Sequence, residues 1–440
     1  MKSEMKEELE KRVKYVVSLS KEIPWYVRKY KELGIDPDEI KSPQDLLKAY
    51  EKGLYTTPAN LPELVYYKHP EAKGPFYTSG TTGKPKEIWL SVKELEFGKS
   101  QFKNLVKIIF QKDERVLNCY PEPPATSGYW TNYCLSTLGY NFTHFPAQKI
   151  QKNFSQFVEV LKEFNPTVIM GLTTFVYRLP ILLTSVDIKP NTLSIKKILT
   201  AAEPSTVERR KVIGENFNNA EVYDLYASSE NGVIAYELQP FTDEHIISYP
   251  ETLLFLTKDG FGVEANEIGD IVITNLYPPE DSKPYMILLN YKIGDWAKCV
   301  EREDNGIVTS ISEIRREAAY LAGAKLNPQE VEKCIEELTE LKEKLSGEYC
   351  IINYYDNERK AVGEIRVESR KPISIEDKKM ISERLKERIY SSNIPVKTLV
   401  EVMKDAKLLI EITNPGELYK GYEQYIKPGK PKRLLVLTNA

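Results

Sequence analysis

The sequence predicts an α/β protein in two parts, a large domain of layered sheets and helices followed by a small α+β domain. Three observations predict it. The 440 residues exceed what one core ordinarily holds. Between about residue 74 and residue 276, short β-branched runs alternate with amphipathic stretches, as a core containing at least one mainly parallel sheet requires. From Asn327 onward a capped helix, two strand-like runs and a second helix repeat the pattern on a smaller scale. The boundaries drawn are 1–314, with 1–60 as a helical lead-in, and 315–440.

In the lead-in, Ile23, Tyr26, Val27, Tyr30 and Leu33 recur at helix spacing, and Gly34 is placed to end the run. Ser42 then offers a cap, with Pro43 at the first helical position and Asp45 in the first turn. The strand candidates that follow are 116–120, 167–170, 195–200, 221–226 and 269–276, with helices expected at 153–164 and 205–217. Three of these strands lead directly into polar segments: Thr200–Thr206, Tyr226–Glu230 and the loop after Leu276. In open α/β sheets, ligands gather where strands end in this way. In the small domain Asn327 and Glu330 form a capping box around Pro328. Strands are expected at 350–356 and 361–369 with a turn over Asn357–Lys360, a helix at 376–390 and a strand at 396–403.

Composition narrows the function. A net charge of −3 disfavours a non-specific nucleic-acid binder. No stretch of 18 consecutive apolar residues occurs and the segment MKSEMKEELEKR has no apolar core, so a cytoplasmic, non-membrane protein is expected. The five cysteines are scattered without a CxxC pair, and no two of the three histidines, His69, His144 and His245, sit at ligand spacing. Disulfide frameworks and histidine-rich metal chemistry are therefore not expected.

The sharpest local signal is YTSGTTGKPKEIWLS at 77–91. Glycines free the backbone to turn, while hydroxyls and amide N–H groups can surround phosphate oxygens. A Walker loop needs glycine at position 78 and Ser or Thr at 85, where this chain has Thr78 and Pro85, so that motif fails. A surface turn rich in Ser and Thr is the plain competing reading.

TSGTTGKPK resembles the phosphate-binding loop of the adenylate-forming superfamily, the acyl-CoA synthetases and their relatives, and its phenylacetate–CoA ligase branch in particular. The resemblance runs through IPWYVRKYKELGIDPDEIKSPQDL (23–46), TAAEPST (200–206), YDLYASSENG (223–232), NEIGDIVITNL (266–276), NYKIGDWAK (290–298), GAKLNPQEVE (323–332) and PGKPKR (428–433), in family order. It implies an ATP-dependent acid–thiol ligase that forms an acyl-AMP and then a coenzyme A thioester, with Mg²⁺ and a mobile C-terminal domain. It also implies a homodimer.

The resemblance carries roles residue by residue. Thr78, Ser79, Gly80, Thr82, Gly83 and Lys84 would hold phosphate, and Thr81, Glu230 and Lys430 would act in catalysis. Glu230 would be the Mg²⁺ ligand, and Lys430 would enter to neutralise the α-phosphate and carboxylate, with Lys427 as the alternative register. Ala202, Glu203 and Pro204 would wall the adenine, Tyr226 would lie beside it, and Ala227 and Ser228 would border the nucleotide. Asp295 would accept from both ribose hydroxyls, and Arg315 or Arg316 would stand for the hinge arginine. Adenylation joins two anions, so such a site needs oriented donors and cationic charge more than an acid or base. The near-absence of histidine suits that demand.

The acyl pocket implied is PATSGYWTNY (124–133): Tyr129, Trp130 and Tyr133 as aromatic surface, with small Ser127 and Gly128 leaving room. An aryl or arylacetic acid is the substrate expected, and His144 could face the same cavity or be structural. Other acceptors stay open, namely a carrier-protein thiol or AMP transfer to a deazaflavin hydroxyl, as does a non-catalytic nucleotide-binding homologue.

Overall fold

The computed structural model describes residues 3–77, 86–150, 153–203, 205–279, 283–315, 319–321, 324–356, 360–403, 406–423 and 433–436. The chain divides into two compact units, the first Met1–Leu172, Asn191–Glu203 and Phe217–Ile314, the second Thr173–Pro190, Pro204–Asn216 and Arg315–Ala440. The fold is mixed α/β, with a large N-terminal sheet-and-helix domain and a smaller C-terminal α+β domain.

The first unit opens with three helices, α1 (Ser3–Ser20), α2 (Pro24–Leu33) and α3 (Pro43–Glu51). Gly34 ends α2 in the left-handed region at φ 61°, and Ser42 and Asp45 form a reciprocal capping box at the start of α3. Trp25, Tyr26 and Tyr30 are buried, while Val27 faces out. The hairpin β1 (Lys73–Tyr77) and β2 (Glu87–Leu90) follows, then α4 (Val92–Ile109), β3 (Arg115–Asn118), α5 (Thr126–Thr137), β4 (Asn141–His144), α6 (Ala147–Ile150), α7 (Phe154–Phe164) and β5 (Val168–Leu172). Helix α8 (Thr173–Thr184) leads to β6 (Lys197–Ala201), and α9 (Val207–Asn216) leads to β7 (Glu221–Ser228). The remaining strands of this unit are β8 (Gly232–Glu237), β9 (His245–Ile247), β10 (Thr252–Lys258), β11 (Phe261–Gly262), β12 (Ile268–Asn275), β13 (Tyr291–Arg302) and β14 (Val308–Arg315).

Among the described residues these form a 12-stranded sheet in the order β11-β10-β12-β13-β14-β9-β8-β7-β6-β5-β3-β4. It is parallel from β4 to β7 and antiparallel from β7 through β9, so the sheet is mixed where the sequence pattern suggested a mainly parallel one. The helical lead-in supplies the core of the antiparallel half: Leu9, Val13, Val16 and Tyr26 pack with Leu253, Phe255, Ile271 and Ile287. The Tyr26 hydroxyl donates to the Ile287 carbonyl at 3.0 Å and accepts from the Leu289 N–H at 2.9 Å.

The second unit contains β15 (Ala319–Leu321), β16 (Ala324–Leu326), α10 (Pro328–Glu337), β17 (Leu345–Tyr355), β18 (Ala361–Ser369), α11 (Ile375–Ser392), α12 (Ile394–Lys397), β19 (Ala406–Thr413) and β20 (Leu434–Val436). Its four-stranded sheet runs β19-β18-β17-β20. Glu330 reaches back to the Asn327 N–H at 3.3 Å, so α10 starts where its capping box requires. The strand expected at 396–403 is not there: Ile394–Lys397 is helical, a π-turn spans Thr398–Met403, and the strand begins at Ala406. Asn393 takes the Val396 N–H on its side chain at 3.1 Å with Pro395 in the first turn, and this local cap overrides the β-branched run. Helices α8 and α9 group with this unit instead of a continuous 1–314 segment, because α9 buries Arg209 against Glu332 of α10 and the Gly347 carbonyl of β17.

Candidate nucleotide and metal site

Strand β7 runs out of the parallel block into Ser228, Ser229 and Glu230. The turn that follows is fixed from below. Ser228 donates to Asn231 Oδ1 at 2.9 Å and accepts from the Asn231 N–H at 3.1 Å. Gln101 of α4 donates to the Asn231 carbonyl at 3.1 Å and accepts from the Val233 N–H at 3.1 Å. Gly232 sits at φ 72°, and a Cβ there would stand 2.3 Å from Gln101 Oε1, so the close approach demands glycine. Asn275, at the end of β12, donates to the Glu230 carbonyl at 3.3 Å and accepts from Asn231 at 3.0 Å.

Held this way, the Glu230 side chain is only 4% exposed. Lys86, just before β2, reaches its Oε1 at 2.7 Å, and the Tyr291 hydroxyl donates to the same oxygen at 3.0 Å. Burial opposes the carboxylate charge, but Lys86 and these hydrogen bonds outweigh it and hold Glu230 below the ordinary range. The carboxylate is therefore an anion at neutral pH.

Asp295 lies inside β13. Asp270 faces Trp296 and Val272 faces Lys292, so Ile271 stands opposite the three residues Ile293–Asp295. Gly294, at φ 93°, makes this bulge. A bulge of this kind re-aims side chains next to sites. Asp295 is 3% exposed and accepts the Tyr226 hydroxyl at 2.7 Å.

The structure thus joins Tyr226 to Asp295 and, in a separate set of bonds, joins Glu230 to Lys86, Tyr291 and Asn275. Lys86 is the second lysine of the GKPK run and was not among the expected site residues; Lys84, expected at the phosphates, lies outside the described residues. Ala227 and Ser228 lie on the last residues of β7, beside a register shift against β8. Ala202 follows β6 at φ 68°, a left-handed conformation unusual for alanine, and Glu203 beside it is buried. Arg315 closes β14. Thr78, Ser79, Gly80, Thr81, Thr82, Gly83 and Lys84, with Pro204, Arg316, Lys427 and Lys430, lie outside the described residues.

The expected acyl-side residues lie in and beside α5. Gly128 leaves no spare room: its N–H bonds the Pro121 carbonyl at 2.9 Å, and a Cβ would come within 2.4 Å of that oxygen. Trp130 meets Gly98 and stacks edge-on to Phe102 of α4 at 5.4 Å, and the Tyr133 hydroxyl bonds Glu96 of the same helix. Tyr129 lies against Phe76 of β1 at 5.3 Å, and Ser127 is half-buried beside Thr126, whose hydroxyl bonds Ser229 at 2.8 Å. His144 is structural: Nε2–H donates to the Tyr120 carbonyl at 3.0 Å and Nδ1 accepts from Asn132 at 2.9 Å. All five cysteines are buried and free.

Residues 73–273 match the model of the AMP-binding enzyme family, a span that includes the glycine-threonine loop, Glu230 and Tyr226. That span, and the relatives found by sequence, make the chain similar to AMP-binding, adenylate-forming enzymes. It is similar to phenylacetate–coenzyme A ligase of Pseudomonas putida, 22% identical over 359 residues, covering 79% of this chain and 78% of that one. Among solved structures it resembles 2-hydroxyisobutyryl-CoA ligase in complex with its acyl-AMP in the postadenylation state, with TM-score 0.77, 15% identity and 99% and 90% of the two chains covered. The same ligase with acyl-AMP and coenzyme A in the thioesterification state gives TM-score 0.61, 17% identity and the same coverage. At these identities the solved structures speak to the fold. Among the described residues no helix is long and apolar enough to cross a membrane, and no cluster of three or more His, Cys, Asp or Glu could hold a metal by itself.

Proposed function

We propose that this protein is an AMP-forming acid–thiol ligase, activating a carboxylic acid with ATP and passing the acyl group to coenzyme A. The observation that carries it is the Glu230 carboxylate, buried yet kept anionic by Lys86 and Tyr291, with the bonded Tyr226–Asp295 pair following in family motif order. The donor set suits Mg²⁺. That ion takes hard oxygen ligands and typically uses one or two carboxylates together with substrate phosphates. Glu230 alone among the described candidates would hold it, and the group would supply positive charge beside the phosphates.

The chain's own residues do the rest. Tyr226 and Asp295 bind the nucleoside, the tyrosine beside the base and the carboxylate accepting from ribose hydroxyls. Thr78–Lys84 supply donors to the phosphates, and Lys430 supplies the cation at the α-phosphate. Lys86 holds the charge on Glu230 before the nucleotide arrives. Carboxylate oxygen attacks the α-phosphorus, the bond to the β-phosphate oxygen breaks, and pyrophosphate leaves. The thiol of coenzyme A then attacks the acyl carbon and AMP departs, the thiol proton passing to solvent.

The acid proposed is an aryl or arylacetic one. Its support is the similarity to phenylacetate–coenzyme A ligase of Pseudomonas putida and the partly buried Tyr129 ring beside Phe76. A panel of benzoate, phenylacetate, acetate, 2-hydroxyisobutyrate and hexanoate with ATP, Mg²⁺ and coenzyme A, scored by mass for AMP and thioester, tests both parts. AMP without thioester would move the acceptor to a protein thiol, an adenylylated cofactor would make it a hydroxyl, and a clear preference for an aliphatic acid would overturn the aryl reading.

A further inference from the structure

Gln101 lies within α4 with 0% exposure, and its whole amide is engaged. Nε2 donates to the Asn231 carbonyl at 3.1 Å and to the Thr252 hydroxyl at 3.0 Å, and Oε1 accepts the Val233 N–H at 3.1 Å. A buried amide is costly unless its donors and acceptor are met, so these bonds select one orientation of the side chain. The amide thus spans Gly232 and fixes the backbone on either side of it. Asn231, 1% exposed, is held at each of its polar groups. Its N–H and Oδ1 bond the Ser228 hydroxyl, its Nδ2 donates to Asn275, and its carbonyl accepts from Gln101. Of these partners, Ser228 and Asn275 come from strands of the sheet and Gln101 comes from a helix.

Glu230 is the residue before Asn231. Its carboxylate meets Lys86 at 2.7 Å and the Tyr291 hydroxyl at 3.0 Å. Lys86 directly precedes β2, and Ser91 caps α4 as soon as β2 ends, so no loop separates Lys86 from the helix that carries Gln101. One continuous stretch therefore touches the carboxylate at its start and the backbone that bears it at its end. We propose that Gln101 is a positioning residue for Glu230: by setting the Asn231–Val233 backbone it sets where the carboxylate projects, and so how it meets Lys86, Tyr291 and a nucleotide-bound Mg²⁺. This rests on the proposed reading of Glu230 as the Mg²⁺ ligand.

The test uses two measurements, calorimetric titration with ATP in Mg²⁺ and in EDTA, and urea unfolding of the protein without nucleotide or metal. Gln101→Met keeps the length of the side chain and removes its hydrogen bonds. It should raise the Kd for ATP about tenfold in Mg²⁺ and leave it within about twofold of wild type in EDTA. Phe102→Leu, at the next position of α4 and fully buried beside Trp130, is the packing control and should leave both Kd values near those of wild type. In the unfolding series at pH 7, the fall in urea midpoint caused by Lys86→Ala should shrink in the Gln101→Met background, where Glu230 has already left Lys86, and should keep its size in the Phe102→Leu background. If Gln101→Met does not fold, Gln101→Asn draws the amide back by one methylene and by itself should raise the Kd severalfold in Mg²⁺ with no change in EDTA. A Kd raised equally in Mg²⁺ and EDTA, an unchanged Kd in Mg²⁺, or additive losses from Gln101→Met and Lys86→Ala would overturn the inference and leave the ligase function standing. A wild-type chain that binds ATP equally in Mg²⁺ and EDTA would overturn the metal reading of Glu230 and this inference with it, and one that binds no adenine nucleotide would overturn the ligase reading as well.

Discussion

The Tyr226 hydroxyl donates to Asp295 Oδ2 at 2.7 Å across 69 residues of sequence, tying the end of β7 to the bulge in β13. The bond orients a carboxylate that is only 3% exposed. Asp295→Asn replaces one acceptor oxygen with a donor and should weaken ATP binding by about 1.5–3 kcal/mol, while Tyr226→Phe should cost about 0.5–1.5 kcal/mol. In the double variant the two losses should fall short of their sum, because both remove the same bond. Calorimetric titration of the three variants decides it, and additive losses would show that the residues act separately.

Lys86 is expected to matter to the fold as well as to catalysis. Lys86→Ala removes the cation from a buried carboxylate, and should cost about 1–3 kcal/mol at neutral pH, less than a fully buried pair because Lys86 is partly exposed. The sign with pH follows from Glu230, whose folded value is depressed below 4.5. Its contribution is present above the unfolded value and fades as pH falls through the folded one. Urea unfolding of wild type and variant should therefore differ at pH 7 and converge in acid. A difference that persists below pH 3 would assign the loss to packing.

Much of this was legible in residue patterns, where the signal is local. Ser42–Asp45 and Asn327–Glu330 start their helices as their caps require, because a cap is decided within four residues. The run at 396–403 misled for the same reason in reverse: Asn393 and Pro395, just before it, settle the chain into helix. What the sequence could not show are pairings across long separations. Lys86 and Glu230 are 144 residues apart, and nothing in GKPK says which lysine reaches the carboxylate. Arg209 reads as one charge on a polar helix until Glu332 and Gly347 are found beside it.

The aromatic residues of α5 should separate by role. Trp130 fills the space over Gly98, where a Cβ would come within 2.0 Å of its indole nitrogen, so Trp130→Ala should cost about 2–4 kcal/mol of stability through the cavity it leaves. Tyr129 lies with Phe76, and Tyr129→Ala should instead lower kcat/KM for the preferred acid with ATP affinity unchanged. One pocket methylene is worth about 1–3 kcal/mol, so neighbouring acids should still react. Thermal melts and kcat/KM across the acid panel separate the two. The aryl assignment is lost if the Tyr129 variant retains full selectivity.

Lys430 carries the prediction most specific to adenylation. Lys430→Ala should reduce acyl-AMP formation by about a hundredfold or more, since the charge it meets develops in that transition state. Thioester formation from supplied acyl-AMP should fall much less. Equal loss in both assays would remove the role, and a selective loss in Lys427→Ala would move it three residues upstream.

Glu336 offers a test in which the chemistry of the site plays no part. Burial raises its pKa above 4.5, and although Arg209 pulls the other way, neighbouring Glu332 adds to the rise. A carboxyl raised in this manner favours the folded state while protonated, and that advantage is lost as pH climbs through the folded value. Glu336→Gln keeps the shape and cannot ionise. Arg209 keeps Glu332 at 2.9 Å in the variant, so the guanidinium is not abandoned. The melting temperature of Glu336→Gln relative to wild type should therefore be near zero or slightly negative at pH 4 and should rise steadily toward pH 8. A difference that is flat with pH would mean that Glu336 ionises as freely in the folded chain as in the unfolded one. A difference that falls with pH would mean that Arg209 needs both carboxylates charged.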